Sequence, residues 1–259
     1  MTPELRSVEA TRYVTALREG GSLPGLVEAD DDGLYVAKFR GAGQGLHALV
    51  AEVIVGELIR RAGLLVPELV TIEIDARLGA AEPDPEIQEL LQASVGINLG
   101  VDFLPGSLPY TAAGPWQPDP ALAAEVVWLD ALATNVDRTA RNPNLLRWHD
   151  RLWLIDHGAA LYLQHGGLAR GGPELARRPF ALIAEHVLLP TAACIPAAGE
   201  RVRARLGNVA GAIEAAVALV PGEWFAGADP PEVYAAYLAA RAAWGGFEEE
   251  AERERVRRG

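Results

Sequence analysis

Residues 105–120 divide the chain, because this stretch contains five prolines and two glycines. Proline lacks the backbone N–H that helices and central strands use, so the stretch predicts a connection between two bodies. Short β-branched runs and turn residues come before it, and long apolar runs with helical spacing come after it. The sequence therefore predicts an α+β protein with a β-containing first part over residues 1–104, a linker over 105–120 and a mainly helical part over 121–259.

The first part contains the signals of a small antiparallel sheet and one helix. Two short apolar runs within residues 24–41 surround an acidic turn, which predicts a β-hairpin that opens the fold. From Leu46 the apolar positions follow the helical period until Gly63, which predicts one amphipathic helix. Residues 66–74 and 95–104 are β-branched and apolar, so we expect further strands there.

The second part begins with a strongly apolar helical pattern over residues 121–134. Residues 144–148 and 152–155 then predict a short hairpin that turns at residues 149–150. From Phe180 onward the pattern is almost entirely helical.

Charge and cysteine content restrict the function. The chain has 35 acidic and 23 basic side chains and a formal net charge of −12, which argues against a surface for nucleic acid. The single cysteine, Cys194, cannot form an internal disulfide, which favours a reducing cytoplasm. No apolar run approaches the roughly 20 residues of a membrane span. We therefore expect a soluble cytoplasmic protein that binds neither nucleic acid nor membranes by itself.

Three polar residues of the second part have the chemistry of a phosphoryl-transfer site. Asp137 and Asn142 are five positions apart, between the predicted helix and hairpin, and Asp156 follows the hairpin in an Asp-x-Gly sequence. Phosphoryl transfer needs a carboxylate beside the attacking hydroxyl, and an amide oxygen and a further carboxylate to hold Mg²⁺. The spacing predicts that these three residues fill those roles.

The first part supplies groups for nucleotide phosphates. Lys38, the only lysine of the chain, lies on the second predicted strand. Glu52 and Glu57 follow on the predicted helix, and either could hold the lysine in place as kinases require. The apolar stripe of the helix centres nearer Glu57. Three residues before the hairpin could bring backbone amides close to phosphates: Gly20, Gly21 and Ser22.

In this ordered series, the sequence resembles the HipA-like kinase family, and in particular its short members that lack the extra N-terminal subdomain. The resemblance extends from Gly20 to about Phe180 and includes Asn135 in an Asn-x-Asp-x4-Asn arrangement. The sequence Ala-Gly-Leu-Leu-Val-Pro-Glu at 62–68 is similar to the family's segment after the helix. The resemblance implies a two-lobed protein-kinase-like fold, with a small antiparallel-sheet N-lobe and a mainly helical C-lobe. It also implies magnesium-dependent transfer from ATP to Ser or Thr of a protein, in a bacterial cytoplasm.

The resemblance also implies a role for each site residue. Lys38 would bind the nucleotide phosphates. Glu52, which the family-like spacing to Gly63 favours over Glu57, would orient Lys38. Asp137 would be the catalytic base, and Asn142 and Asp156 would bind magnesium. The backbone that reads adenine would belong to a hinge formed by Asp102, Phe103 and Leu104.

Three features of the sequence depart from that pattern or add to it. His157 replaces the aromatic residue of the usual Asp-Phe-Gly, and both His157 and His149 are expected to be structural, because no second His or Cys lies at a ligand spacing. The phosphate loop is poor in glycine. Residues 157–180 contain neither Ser nor Thr, which excludes activation by phosphorylating Ser or Thr in that stretch.

Two other functions remain open from the sequence. The first is a nucleotide-binding pseudokinase module that acts through a regulatory protein partner, which the poor glycine loop permits. The second is a phosphotransferase that acts on a small molecule or a lipid headgroup, because such kinases use a similar Asp-x4-Asn geometry. If the chain is a protein kinase, we expect a protein substrate. If it is a pseudokinase module, we expect a regulatory protein partner.

Overall fold

The computed structural model describes residues 4–17, 23–43, 45–80, 82–226 and 228–258. Within these residues, the first part of the chain contains five strands and three helices. The strands are β1 (Arg6–Ala16), β2 (Gly25–Ala29), β3 (Leu34–Lys38), β4 (Leu69–Ile74) and β5 (Gly96–Asp102). The helices are α1 (Gly45–Arg61), α2 (Ala76–Ala80) and α3 (Pro85–Ala93).

The five strands form a closed barrel in the order β1-β2-β3-β5-β4, and not the purely antiparallel sheet that the sequence predicts. Strand β4 closes the barrel by pairing with β1 in parallel, and the other pairs are antiparallel. The pairing of β1 with β2 has register shifts between Ala10 and Arg12 and between Tyr13 and Thr15. Such irregularities bend a strand, which lets β1 reach both neighbours.

Strand β1 is the element that the sequence prediction missed, so the predicted hairpin does not open the fold. Most of its side chains are exposed, and Val8 is its only buried residue. A strand with one buried position has little hydrophobic alternation, and alternation is the signal that indicates a strand. The stretch between β4 and β5 contains the short helices α2 and α3.

The second part contains a small sheet and six helices in the described residues. Strands β6 (Leu108–Pro109), β7 (Leu145–Trp148) and β8 (Arg151–Leu154) form a three-stranded sheet, and α4 (Pro120–Ala133) precedes β7. The hairpin turns at His149 and Asp150, which both have positive φ. The remaining helices are α5 (Leu168–Ala176), α6 (Ile195–Leu206), α7 (Val209–Val217), α8 (Pro231–Trp244) and α9 (Gly246–Arg258). Short 3-10 helices span Tyr162–Gly166, Ala181–Glu185, Leu189–Thr191 and Gly222–Phe225.

Helix α1 is buried on nearly all sides. Eleven consecutive residues, from Leu49 to Ile59, are buried. Its apolar residues belong to the large hydrophobic core that also contains those of α4 and α8, whereas a smaller cluster fills the barrel. A helix packed in this way keeps its position firmly, which matters because it carries Glu52. None of the described helices is long and apolar enough to cross a membrane.

Candidate active site

Lys38 lies where the barrel meets the helical part of the chain. Its Nζ atom donates a hydrogen bond to Oε1 of Glu52 on α1 and another, of 2.7 Å, to Oδ1 of Asp156 after β8. The Oε1 atom of Glu52 also accepts the backbone N–H of Gly158 at 3.0 Å. The other candidate, Glu57, is buried but forms ion pairs with Arg60 and Arg61 at 2.7 and 2.6 Å. The structure thus pairs Lys38 with Glu52 and Asp156, residues far apart in the sequence.

The three charged groups shift one another's pKa values. Burial lowers the pKa of Lys38, but the carboxylates of Glu52 and Asp156 outweigh it and raise the pKa above its usual value. Burial raises the pKa of Glu52 to about 6. Burial also opposes ionisation of Asp156, yet the nearby Lys38 cation lowers its pKa to about 2. At neutral pH two carboxylates therefore face one ammonium group. The excess negative charge favours the binding of a further cation.

Asp137 lies in the connection between α4 and β7, together with two asparagines. Asn142 donates from Nδ2 to Oδ2 of Asp137 at 2.7 Å, and Asn144 donates to the same oxygen at 3.4 Å. Asn144 also contacts the backbone carbonyl of Asp156 at 3.4 Å. Burial and the charge of Asp156 raise the pKa of Asp137. A carboxylate with a raised pKa accepts a proton more readily, which suits a general base.

A cleft of about 620 Å³ lies beside these groups. Lys38, Asn142 and Asp156 are among its polar lining residues, and its apolar lining comes from both parts of the chain. The apolar lining residues include Val36, Val101, Leu104, Pro109, Leu146 and Ile155. A pocket with apolar walls and a few charged and polar groups suits a ligand that has a flat apolar ring and a charged end.

The predicted hinge residues lie at this cleft, but two of them use their amides elsewhere. The N–H of Asp102 donates to the carbonyl of Glu68 at 2.9 Å, and the N–H of Phe103 donates to the carbonyl of Leu34 at 2.9 Å. Leu104 N–H has no hydrogen-bond partner within the described ranges. Of the three amides, that of Leu104 is therefore the one left to bind a ligand.

Gly20, Gly21 and Ser22, the predicted phosphate loop, lie outside the described residues. The residues on either side of them are described. Leu17 and Pro24 both line the cleft, and Leu17 N–H donates to the carbonyl of Pro24 at 2.8 Å.

A buried ionic network supports the loop that carries Asp137. Arg138 donates to Oδ2 of Asp130 at 2.5 Å, and neither side chain is exposed. The guanidinium also bonds the carbonyl of Asn144 and Nδ1 of His157, the latter at 3.0 Å. Asp130 further accepts from Asn135 at 2.9 Å. Arg138 thus joins the end of α4 to the two stretches that carry site residues, those around Asp137 and Asp156. His157, which the sequence predicts to be structural, is buried in this network.

His186 completes this network as a neutral side chain. Its Nδ1 accepts the N–H of Leu188 at 3.1 Å, so the proton is on Nε2, which donates to Asp130 at 2.9 Å. Burial lowers the pKa of His186, and Arg138 already supplies the positive charge that Asp130 needs.

We expect acidification to destabilise the fold through this histidine. Since its pKa is lowered in the folded state, the unfolded chain binds the proton more readily, and stability falls as the pH drops below 6.5. One such group changes the free energy of unfolding by at most about 1.4 kcal/mol per pH unit. Urea unfolding at pH 7 and pH 5 measures the free energy of unfolding. Between these two pH values it should fall less in His186→Gln than in the parent. His149→Gln, at an exposed position, is the control variant. An equal loss of unfolding free energy in the parent and in His186→Gln would contradict the expectation.

The sequence analysis did not identify the supporting residues Asn144, Asp130 and Arg138. One signal was available for Asp130, because it is a charged residue within a strongly apolar helical run. Such a residue is buried only with a partner, and the sequence does not show which of the 22 arginines that partner is.

A family model for HipA-like kinases matches residues 11–168. This range is more than half of the chain and contains Lys38, Glu52, Asp137, Asn142 and Asp156. The chain belongs to the HipA-like kinase family. This confirms the resemblance that the sequence motifs indicate. No curated protein gave a significant sequence match.

Solved kinase structures resemble the fold of this HipA-like kinase. A Helicobacter pylori proinflammatory kinase, CtkA, superimposes with a TM-score of 0.58 at 12% identity, over 98% of this chain and 99% of the other. The Golgi casein kinase superimposes with a TM-score of 0.50 at 15% identity, over 100% of this chain and 74% of the other. At these identities the likeness concerns the fold alone. The fold is α+β and kinase-like, with the strand barrel first and the helices mainly after it.

The donor set of this HipA-like kinase fits a magnesium ion held jointly with phosphates. Among the described residues, no group of three or more His, Cys, Asp or Glu side chains could hold a metal ion. Asn142 and Asp156 line the same cleft and supply amide and carboxylate oxygens. Magnesium is commonly bound by one or two such protein ligands together with phosphates and water.

Proposed function

We propose that this HipA-like kinase is an ATP- and Mg²⁺-dependent phosphotransferase that modifies a Ser or Thr hydroxyl of a protein. One observation carries the proposal: Lys38 bonds both Glu52 and Asp156 at the wall of the cleft. An ammonium group fixed by two carboxylates is oriented for phosphate oxygens, because neither its position nor its charge varies.

The nucleotide would lie along the cleft from its apolar end to Lys38. Adenine would contact the apolar walls, including Val36 and Leu146, and its ring nitrogen would accept the N–H of Leu104. The phosphates would reach Lys38, the only lysine available to them. These local donors would bind the anionic nucleotide in a protein whose net charge is −12.

Asn142 and Asp156 are the residues that would hold magnesium. Nδ2 of Asn142 donates to Asp137, so its Oδ1 atom is the one left for the metal. The backbone of Asp156 has a φ of 55°, in the left-handed region that is uncommon for residues other than glycine. A bound Mg²⁺ would supply positive charge that stabilises the phosphate oxygens during transfer.

Asp137 would act on the acceptor. The acceptor oxygen attacks the γ-phosphorus of ATP and loses its proton to the Asp137 carboxylate. The bond from the γ-phosphorus to the β–γ bridging oxygen breaks, and ADP leaves with that oxygen. Asn142 and Asn144, which bond Oδ2 of Asp137, hold the carboxylate in one orientation.

The single lysine gives a direct test of nucleotide binding. An acyl-phosphate derivative of ATP should transfer its acyl group to Nζ of Lys38, because that amine lies beside the phosphates. With Mg²⁺ present and ATP well above its dissociation constant, we expect the labelling of Lys38 to fall about ten-fold. Peptide mass spectrometry measures the labelling. Labelling of the chain's α-amino group is the internal control. Lys38 labelling that ATP leaves unchanged would remove the basis of the kinase proposal.

A turnover assay with γ-labelled ATP separates the alternative functions. The parent should transfer label to protein in a magnesium-dependent way, and Asp156→Ala should not. Base-labile label on protein supports Ser or Thr as acceptor. Label in a lipid extract or a low-mass fraction would identify a lipid or small-molecule kinase instead. ATP-protected Lys38 without any transfer would identify a pseudokinase module that acts through a protein partner.

A further inference from the structure

The segment that follows Asp156, residues 157–180, lacks the hydroxyls that kinases commonly phosphorylate in this region. It contains neither Ser nor Thr, and Tyr162 is its only hydroxyl-bearing residue. A phosphate in such a segment acts by pairing with an arginine near the catalytic loop. The arginine next to Asp137 is Arg138, whose guanidinium is fully buried and already bonded to Asp130 and His157. The segment must therefore be held in place by other contacts.

Side chains from the C-terminal part of the chain make those contacts at four points, two of which involve carboxylates. Asp229 accepts the N–H of Leu168 at 2.5 Å and that of Ala169 at 3.4 Å, which caps the start of α5. Glu250 on α9 accepts the N–H of Phe180 at 2.6 Å. Both carboxylates thus fix backbone amides of the segment.

Arg241 on α8 holds the end of α5. It donates to the carbonyls of Ala176 and Arg178 at 3.1 and 3.0 Å, and to that of Ala131 at 3.0 and 3.1 Å. The side chain is fully buried, and all its hydrogen bonds within the described residues go to backbone carbonyls. Because Ala131 lies near the end of α4, Arg241 ties the segment to the helix that precedes the Asp137 loop.

Tyr234 on α8 extends the connection to α1. Its hydroxyl donates to Oε1 of Gln164 at 3.1 Å, and Nε2 of Gln164 donates to the carbonyl of His47 at 3.3 Å. His47 lies in the first turns of α1, ahead of Glu52. A second bond joins the same two parts, because Gly158 donates to Glu52. Two hydrogen bonds thus join the segment to α1, the helix that carries Glu52.

We propose that four residues, the C-terminal anchors Asp229, Tyr234, Arg241 and Glu250, are positioning residues that hold the segment and α1 in the arrangement needed for transfer, without phosphorylation of the segment. This inference rests on the proposed phosphotransferase function. All four anchors lie outside the range that the family model matches. They act through Gln164 and the segment backbone, and none of them touches the nucleotide cleft.

Two variants with small changes in side chain test the proposal. Tyr234→Phe removes one hydroxyl, and Asp229→Ala removes the cap of α5. We expect amide hydrogen exchange in residues 157–180 and in the first turns of α1 to become faster in both, with little change in the barrel. One lost hydrogen bond corresponds to about five-fold faster exchange, and a lost charged cap to at least about ten-fold. Tyr237→Phe is the matched control, because Tyr237 is a buried tyrosine of the same helix that makes no hydrogen bond to the segment.

Kinetics and mass spectrometry complete the test. The double variant Asp229→Ala/Tyr234→Phe should lower kcat at least about ten-fold, as expected when site groups lose their alignment. Asp229→Asn, which keeps an acceptor oxygen, should restore most of the activity. The active parent should carry no phosphate on Tyr162 and should keep its activity after phosphatase treatment.

Unchanged exchange in both variants would overturn the proposal, and so would activity that depends on phosphorylated Tyr162. The exchange measurement needs no activity. A parent that shows the expected exchange pattern but transfers no phosphate therefore contradicts the proposed function and not the anchoring.

Discussion

Asp137→Asn should abolish most phosphoryl transfer while leaving nucleotide binding intact. An amide cannot accept the proton of the acceptor hydroxyl, and loss of a general base lowers kcat by about 10²- to 10⁴-fold. Asp137 is not among the residues that line the nucleotide cleft, so ATP should protect Lys38 from labelling as well as in the parent. The measurements are kcat with γ-labelled ATP and protection of Lys38 by ATP.

Asp150→Asn is the matched control for this variant. Asp150 is an exposed aspartate in the turn of the β7–β8 hairpin and bonds Arg147. Its replacement should leave kcat unchanged. The unfolding free energy of Asp137→Asn should equal or slightly exceed that of the parent, because burial and the nearby charge of Asp156 oppose ionisation of Asp137. A kcat within two-fold of the parent value, roughly the scatter of context effects, would show that another group is the base.

Arg138→Met should destabilise the fold strongly. The change leaves Asp130 ionised and fully buried without its main partner, and breaking a buried pair in this way costs about 3–5 kcal/mol. Burial opposes the charge on Asp130, yet Arg138 and His186 keep its pKa below the usual range, so the carboxylate stays charged in the fold. Urea unfolding at pH 7 measures the loss.

The double variant Asp130→Asn/Arg138→Met separates the charge effect from lost packing. It removes both charges, so it should recover a large part of the stability that Arg138→Met loses. Arg147→Met, which breaks the exposed pair with Asp150, should cost no more than about 1 kcal/mol. Equal losses for Arg138→Met and Arg147→Met would mean that the buried network does not support the Asp137 loop.

Strand β1 and the pairing of Lys38 show why parts of the structure could not be predicted. The β1 sequence carries one buried residue, so its pattern resembles an exposed segment, and only its pairing with β2 and β4 makes it a strand. A helical wheel favours Glu57, but it is a poor guide here, because α1 is buried on nearly all sides and both carboxylates are inside. The choice depends on Arg60 and Arg61, which pair with Glu57.

The hinge illustrates a similar limit. Sequence position indicates residues 102–104, and the structure brings all three to the cleft. Which amide is left for a ligand depends on strand pairing, since Glu68 and Leu34 accept the amides of Asp102 and Phe103. These acceptors lie 34 and 69 residues away in the chain, counted as 102 − 68 and 103 − 34, so local pattern does not reveal them.

The sequence by itself determined the kinase family, the order of its site residues and the α+β class. These depend on local spacing, on proline and glycine positions and on the hydrophobic period, all of which can be read directly from the sequence. The tertiary structure alone decided that the barrel closes, that Lys38 meets Glu52 and Asp156, and that Arg138 and Arg241 are buried. Burial of a charge depends on partners that are brought together only by packing, because a charged side chain leaves water only where a distant residue compensates it.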